Sequence, residues 1–191
     1  MTLIHRTWLE LKPNEDHYGN QEDFSEYYNR IRETKFDLGE FPKDVYEQWI
    51  HPHHKNDKTL KNYSWINFDL IEFEIVSWDF ESLNKLYVIE QFQPYVNQRA
   101  NYKNIHDFCC SGDDVDYWKT KGTWKKPPII LDINSLNTKI PIQSELRKSF
   151  QLVEGHSRLG YLKSMKNIET KGEFKLAEKH KIFLMRKIAK S

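Results

Sequence analysis

The residues best suited to chemistry lie where an apolar segment gives way to one with helical spacing. Positions 154–158 read Glu-Gly-His-Ser-Arg and follow an apolar run that ends at Val153. Beyond them, apolar residues recur at the spacing of one helix face: Leu159, Leu162 and Met165. Gly155 permits a tight turn between the two segments. The sequence therefore predicts a strand, a turn and a helix in that order.

The start of this predicted helix is typical of an anion-binding site. The first N–H groups of a helix have no intrahelical acceptor, and the helix dipole is positive at that end. His156, Ser157 and Arg158 add side-chain donors at the same position. We therefore expect phosphate to bind at Gly155, His156, Ser157 and Arg158. The alternative is that Arg158 caps or pairs within a helix that serves packing alone.

Carboxylates near this turn suggest a phosphoryl-transfer site. Glu154 and His156 are the candidate catalytic residues, and Glu154 next to a phosphate indicates a base or a metal link. Asp114 and Asp116 are the candidate metal ligands, because Mg²⁺ prefers one or two carboxylates together with phosphate oxygens. The alternative for these aspartates is a helix N-terminus, where acids oppose the dipole favourably. The cofactor expected is a nucleoside triphosphate with Mg²⁺.

Two other groups of reactive side chains have structural alternatives. The histidines of 51–54 could ligate zinc, but no further ligands follow at a fixed spacing, and we expect a polar loop there. Cys109 and Cys110 lie close to His106, which suggests a thiolate–imidazole pair. Residues so close in sequence rarely face each other, so a structural loop is the expectation there too.

Composition limits the class of protein. A chain of 191 residues suits one domain, and its 6 Trp, 10 Tyr and 11 Phe supply buriable area despite a charged fraction of 30%. Its apolar runs are too short to cross a bilayer, and the N-terminus lacks the features of a secretory signal, so we expect a cytoplasmic protein without membrane partners. Residues 158–191 hold ten Lys or Arg against three Glu, which favours an anionic ligand.

Periodicity predicts an α/β (α+β) protein with a small mixed β-sheet and flanking helices. We expect a helical N-terminal extension over 1–67, packed on a core domain over 68–191. Helices are predicted at 21–32, 43–50, 79–85, 113–121 and 157–167. Strands are predicted at 68–78, 86–90, 127–133, 150–153 and 182–185.

Three segments, taken in order, carry a resemblance to a known family. Residues 86–99 look like a strand followed by an N-P-Y-x-P-R-like turn that ends at Arg99, with Gln98 in the place of the second proline. Residues 122–131 look like a G-x-x-x-P-I-x-V segment, and 154–159 resemble a G-x-x-R box after a strand. This order resembles the ParB/sulfiredoxin superfamily. The resemblance implies that fold, with nucleotide phosphates held by the 155–158 turn and by Arg99.

Differences between this sequence and the family's motifs reduce the number of activities that the resemblance implies. Sulfiredoxins carry a catalytic cysteine directly before the His-Arg pair, and partition proteins usually read G-E-R-R where this chain has Ser157. A DNA clamp would also need a helix-turn-helix after Met165, where about 25 residues remain. The most similar motif is the G-H-x-R of free-serine kinases, which this chain resembles at Gly155, His156 and Arg158.

The leading expectation is a bacterial nucleotide- or phosphate-binding protein, with phosphotransfer or nucleotide hydrolysis as the reaction it would serve. Two alternatives stay open. One is a DNA-binding or nuclease-type protein in which the same turn takes a backbone phosphate. The other is a non-catalytic plasmid or phage interaction protein on the same scaffold. The sequence does not indicate an oligomeric state.

Overall fold

The structure is a computed structural model that describes residues 4–34, 41–147, 149–169, 172 and 174–188. It is a mixed α/β protein, as the periodicity predicts. Its α-helices are α1 (Arg6–Glu10), α2 (Phe24–Thr34), α3 (Lys43–Val45), α4 (His51–His53), α5 (Asp57–Tyr63), α6 (Phe80–Asn84), α7 (Gln93–Ala100), α8 (Gly112–Lys121) and α9 (His156–Glu169). One π-helical turn, Tyr46–Ile50, joins α3 to α4 without a break. Its strands are β1 (Ile71–Trp78), β2 (Ile129–Asp132), β3 (Phe150–Glu154) and β4 (His180–Lys187).

The four strands form one open sheet in the order β1-β4-β2-β3. Strands β2 and β3 are antiparallel, with Ile130 opposite Leu152 and an irregularity between Ile129 and Ile130. On the other side of β3, Tyr87 forms a single parallel bridge to Gln151. The sheet is therefore mixed. Strand β3 is followed directly by the turn that leads into α9.

The predicted strand over 86–90 is wrong. Only Tyr87 pairs, donating to the Phe150 carbonyl at 3.0 Å and accepting from Leu152 at 3.0 Å. A 3-10 turn begins at Glu90, and Pro94 stands in the first turn of α7. The residues interpreted as an extended turn ending at Arg99 are therefore helical, because proline favours a helix start.

The other predicted elements are confirmed with shifted ends. The strand expected from Phe68 starts at Ile71, because Asn67 caps a 3-10 turn over Phe68–Leu70. The helix expected over 43–50 extends as continuous helical structure to His53, and Pro42 stands at its N-cap position. Every helix among the described residues is too short or too polar to cross a bilayer.

The chain divides into two compact units. The first, here called the outer unit, comprises Met1–Phe73, Ser135–Arg147 and Met185–Ser191. Its core is largely aromatic, with the rings of Trp8 and Trp49 5.8 Å apart and Phe68 fully buried. The second, here called the central unit, comprises Glu74–Asn134 and Lys148–Leu184. Its core surrounds α9 and includes Val96, Trp118, Ile130, Leu152, Leu159, Leu162, Met165 and Ile168.

Candidate phosphate-binding site

The strand, turn and helix predicted around Gly155 are confirmed. Strand β3 ends at Glu154, Gly155 has a φ of +103°, and α9 begins at His156. Residues with a side chain rarely adopt this φ, and a Cβ at Gly155 would also lie 2.5 Å from Pro128 Cβ. Both observations explain why the turn needs glycine at this position.

Gly155 also starts the hydrogen-bond ladder of α9. Its carbonyl accepts the N–H of Leu159 at 2.9 Å, so the N–H groups of residues 156–158 precede the ladder and point out of the N-terminal end of the helix. Buried Leu159, Leu162 and Met165 hold α9 against the core of the central unit. The first turn therefore presents a fixed set of donors and the positive end of a helix dipole.

Arg158 folds back over the turn, as its position in the first turn allows. Its Nε would lie 3.1 Å from a Cβ at Gly155, and its Nη2 lies 3.5 Å from Glu154 Oε1. The two side chains are 19% and 25% exposed. The carboxylate interpreted as a candidate base is therefore held beside the guanidinium interpreted as a phosphate ligand.

Helix α7 brings a second arginine to α9. A Cβ at Gly160 would lie 2.5 Å from Arg99 Cβ and 2.8 Å from the Val96 carbonyl oxygen, so glycine is what allows the two helices to approach this closely. The guanidinium carbon of Arg99 lies 3.2 Å from the centroid of the Tyr95 ring, and its Nη1 donates to the Tyr95 carbonyl at 3.3 Å. Arg99 is thus fixed on α7 next to the second turn of α9.

Tyr95 links this arginine to the first turn of α9, and sequence reasoning missed it. Its hydroxyl lies within hydrogen-bond distance of Ser157 Oγ, at 2.8 Å. The ring is 41% exposed, so the linked pair faces solvent. The sequence feature that could have identified Tyr95 is its position four residues before Arg99, since residues four apart lie on one face of a helix.

His156 is buried, whereas a catalytic imidazole would need to be accessible to the substrate. Its ring centroid lies 4.4 Å from that of Phe92, just before α7. On the other flank of Arg99 the phenol of Tyr161 is buried, and burial raises its pKa while the Arg99 guanidinium opposes the shift. Arg99 thus lies between the Tyr95 ring and the buried phenol of Tyr161.

Asp114 and Asp116 take part in the local structure of α8. Ser111 caps the helix: its hydroxyl donates to Asp114 Oδ2 at 2.7 Å and accepts the Asp114 N–H at 3.2 Å. Asp116 lies 3.8 Å from the ammonium of Lys119. Within the described ranges, no three His, Cys, Asp or Glu side chains are grouped closely enough to hold a metal ion.

The histidine tract is helical, so the expected polar loop is wrong there. His54 is buried, stacks on Trp8 with centroids 4.7 Å apart, and bonds the Trp8 carbonyl through Nε2 at 2.7 Å. His51 bonds the Glu22 carbonyl in the same way at 2.9 Å. These rings serve packing within the outer unit.

The two cysteines are free thiols in the loop before α8. Cys109 is exposed, and its Sγ lies 3.7 Å from the Tyr102 hydroxyl, whereas burial raises the pKa of Cys110. The nearby Asp107 carboxylate accepts the Asn104 N–H in a capping box. The loop that the sequence predicts here is confirmed.

No family model, curated protein or solved structure matches this chain.

Proposed function

We propose that this chain binds the phosphate of a nucleotide at the N-terminal end of α9. The observation that carries the proposal is the 2.8 Å contact between Tyr95 and Ser157, which ties α7 to the first turn of α9 and fixes the ring on which the Arg99 guanidinium lies. A helix N-terminus favours an anion, and arginine is the side chain best suited to grip phosphate oxygens. The resemblance to the ParB/sulfiredoxin superfamily supports the same assignment.

Each residue has a distinct role in the proposal. Gly155 lets the phosphate approach the backbone, and the N–H groups of residues 156–158 donate to it. Ser157 and Arg158 add side-chain donors, and Arg99 supplies a second positive charge. His156, buried against Phe92, positions the first turn from the inside.

The proposal includes a reaction, phosphoryl transfer or nucleotide hydrolysis, with Glu154 as the base. Its Oε1 lies 3.5 Å from Arg158 Nη2. When a phosphate competes for Arg158, this contact loosens, and the carboxylate becomes able to accept a proton from the attacking hydroxyl or water. Binding and catalysis are separable, because binding does not require Glu154.

We expect Mg²⁺ to bind as a complex with the nucleotide. Glu154 lies beside Arg158, and Asp114 accepts the hydroxyl of Ser111, the N-cap of α8, so these carboxylates do not form a preformed Mg²⁺ site. Mg²⁺ commonly keeps several waters and binds through substrate phosphates with one or two carboxylates. We therefore expect Mg²⁺ to arrive with the triphosphate, with Asp114 and Asp116 outside its inner ligands.

Nucleic acid is the less favoured ligand. Two cations of the basic C-terminal third are already engaged: Lys166 pairs with Glu169 at 2.9 Å, and Arg186 pairs with Glu72 at 2.8 Å. Burial lowers the pKa of Lys163, which weakens its positive charge. A long phosphate-tracking surface needs many exposed cations, whereas a single nucleotide needs few.

The test is a titration of the full chain with ATP, CTP, GTP, their diphosphates and inorganic phosphate, with and without Mg²⁺. We expect saturable binding of at least one nucleotide, with a shallow dependence of log Kd on log salt because few phosphates are neutralised. Glu154→Gln should retain this binding and lose turnover of the bound nucleotide. Absence of saturable binding to every compound would contradict the proposed function, and a steep salt dependence with DNA alone would favour the nucleic-acid alternative.

A further inference from the structure

The outer unit contains a pocket that is separate from the 154–158 turn. Its volume is about 250 Å³. Its lining comes from four stretches of the outer unit: His5, residues 65–67 with 70–71, the segment that carries Leu136 and Thr138, and Lys187. A cavity of about 150 Å³ in another protein accommodates benzene, so this pocket is large enough for a one-ring molecule with a small polar substituent.

Most of the lining is apolar. Trp65, Ile66, Ile71 and Leu136 are buried side chains that contribute to it, and Leu70 is 37% exposed at its edge. Backbone hydrogen bonds hold these walls in place, since Ile188 donates to the Leu70 carbonyl at 2.8 Å and Lys187 donates to Ser135 Oγ at 3.0 Å. The pocket is thus part of the folded structure and suits an apolar ligand body.

Two side chains of the lining, His5 and Lys187, carry N–H groups that can donate to an anion. Neighbouring acids are directed elsewhere: Glu72 pairs with Arg186 at 2.8 Å, and Asp69 lies 3.9 Å from Arg6. Successive side chains of a strand point to opposite faces, so Arg186 and Glu72 lie on the face opposite to Lys187 and Ile71. Within the described part of the chain, Lys187 has no ion-pair partner.

His5 adds a hydrogen-bond donor. Its Nδ1 accepts the N–H of Thr7 at 3.3 Å and lies 2.9 Å from the Thr7 hydroxyl, which in turn accepts the Phe68 N–H. A neutral ring that accepts at Nδ1 carries its proton on Nε2. Both ionisable residues of the pocket can therefore donate to an anion.

From this combination we infer that the outer unit binds a small carboxylic acid with a compact apolar body, such as a one-ring aromatic acid, in this pocket. The apolar walls take the ring, and Lys187 and His5 take the carboxylate. A phosphate or a sugar fits less well, because most of the lining offers such a ligand no hydrogen-bond partner. This inference is independent of the proposed nucleotide site in the central unit.

The test compares benzoate with benzyl alcohol, its neutral counterpart, followed by NMR of the backbone amides and the Trp65 indole N–H. We expect benzoate to bind at least about tenfold more tightly than the alcohol, since a hydrogen bond to a charged group contributes roughly 1.5–3 kcal/mol. The Trp65 indole resonance should shift with saturation for both compounds.

Substitutions in the pocket test which residues produce the preference for benzoate. Lys187→Met should reduce the preference for benzoate to within about twofold while the alcohol still binds, and Lys58→Met, which removes an exposed lysine of α5, should leave the preference unchanged. Leu136→Trp, which fills the pocket, should abolish binding of both compounds. If Lys187→Met does not fold, Lys187→Gln provides the same comparison. Equal binding of both compounds by the wild type, an unchanged preference in the Lys187 variant, or no saturable shift at Trp65 would overturn the inference.

Discussion

The hydroxyl of Tyr95 lies 2.8 Å from that of Ser157, and this contact joins the first turn of α7 to the first turn of α9. The same tyrosine carries the Arg99 guanidinium on its ring, 3.2 Å from the centroid. One side chain therefore sets the spacing between a helix N-terminus and an arginine. The account of the site depends on this arrangement more than on any single charged residue.

Tyr95→Phe removes the hydroxyl and keeps the ring. We expect nucleotide affinity to fall by roughly 2- to 10-fold, because an ordinary hydrogen bond contributes about 0.5–1.5 kcal/mol and its loss lets α7 drift from α9. Thermal stability should change little, since the contact is exposed. Calorimetric titration and a melting curve on the same sample measure both quantities. An unchanged affinity would show that Tyr95 does not position Arg99.

Gly155→Ala combines backbone strain with a clash. The φ of +103° and the 2.5 Å approach to Pro128 Cβ should together destabilise the protein by at least about 2 kcal/mol in urea unfolding. Gly19→Ala is the first control, because its φ of +84° is strained but its surroundings are open. Gly112→Ala is the second, with neither strain nor contact, and should be neutral or slightly stabilising. A loss at Gly155 no larger than that at Gly112 would contradict the geometry of the turn.

His180 should make folding sensitive to acid. Burial lowers its pKa to about 4, its Nδ1 lies 2.9 Å from Thr123 Oγ1, and Asp79 opposes the shift in part. Between about pH 6.5 and pH 4 the unfolded chain binds the proton and the folded chain does not, so stability falls as pH falls through this window. The expected loss between pH 7 and pH 5 is roughly 1–2 kcal/mol.

His54 contributes with the same sign, because burial lowers its pKa as well. Urea unfolding of the wild type and of His180→Gln at both pH values isolates the share of His180. The variant should lose less stability on acidification than the wild type. Equal losses in the two proteins would show that His180 is not the group responsible.

The two cysteines should react at different rates. Cys109 is exposed, whereas burial raises the pKa of Cys110, which lowers its thiolate fraction at a given pH. Iodoacetamide at pH 8 should therefore modify Cys109 first, as read by mass spectrometry on Cys109→Ser and Cys110→Ser. Faster modification of Cys110 would contradict the placement of this loop.

Local sequence signals account for the part of the site that lies within one segment. The change from strand-like to helical apolar spacing at Gly155 predicts β3, the turn and α9, because Leu159, Leu162 and Met165 must share one buried face. The fold-back of Arg158 follows from its place in the first turn. These features depend on residues close together in the chain.

The errors arise from distant contacts. Residues 86–90 have strand-like composition, yet Tyr87 alone finds a partner, because the chain must turn toward α7 directly afterwards. His54 belongs to a polar tract, but it stacks on Trp8, which lies 46 positions earlier. The contact between Tyr95 and Ser157 likewise joins residues that are 62 positions apart in the sequence. Periodicity within a window carries no information about such pairs.

The most direct test of the phosphate site is a paired measurement of nucleotide Kd and melting temperature on Arg158→Ala. A charge-assisted bond to phosphate contributes roughly 1.5–3 kcal/mol, which predicts a 10- to 150-fold weaker Kd. The melting temperature should change by only a few degrees, because the partly exposed pair with Glu154 contributes at most about 1 kcal/mol. Arg186→Ala, which breaks the pair with Glu72 in the outer unit, is the matched control and should leave Kd unchanged.

Arg158→Ala also removes the guanidinium that lies beside the Glu154 carboxylate, so the double variant Glu154→Gln/Arg158→Ala separates repulsion by this carboxylate from loss of the arginine donor. Most of the affinity loss should persist in the double variant while both proteins stay folded. If Arg158→Ala instead lowers the melting temperature by many degrees and every nucleotide that binds the wild type still binds with the same Kd, then Arg158 is structural and the 154–158 turn is not a phosphate site.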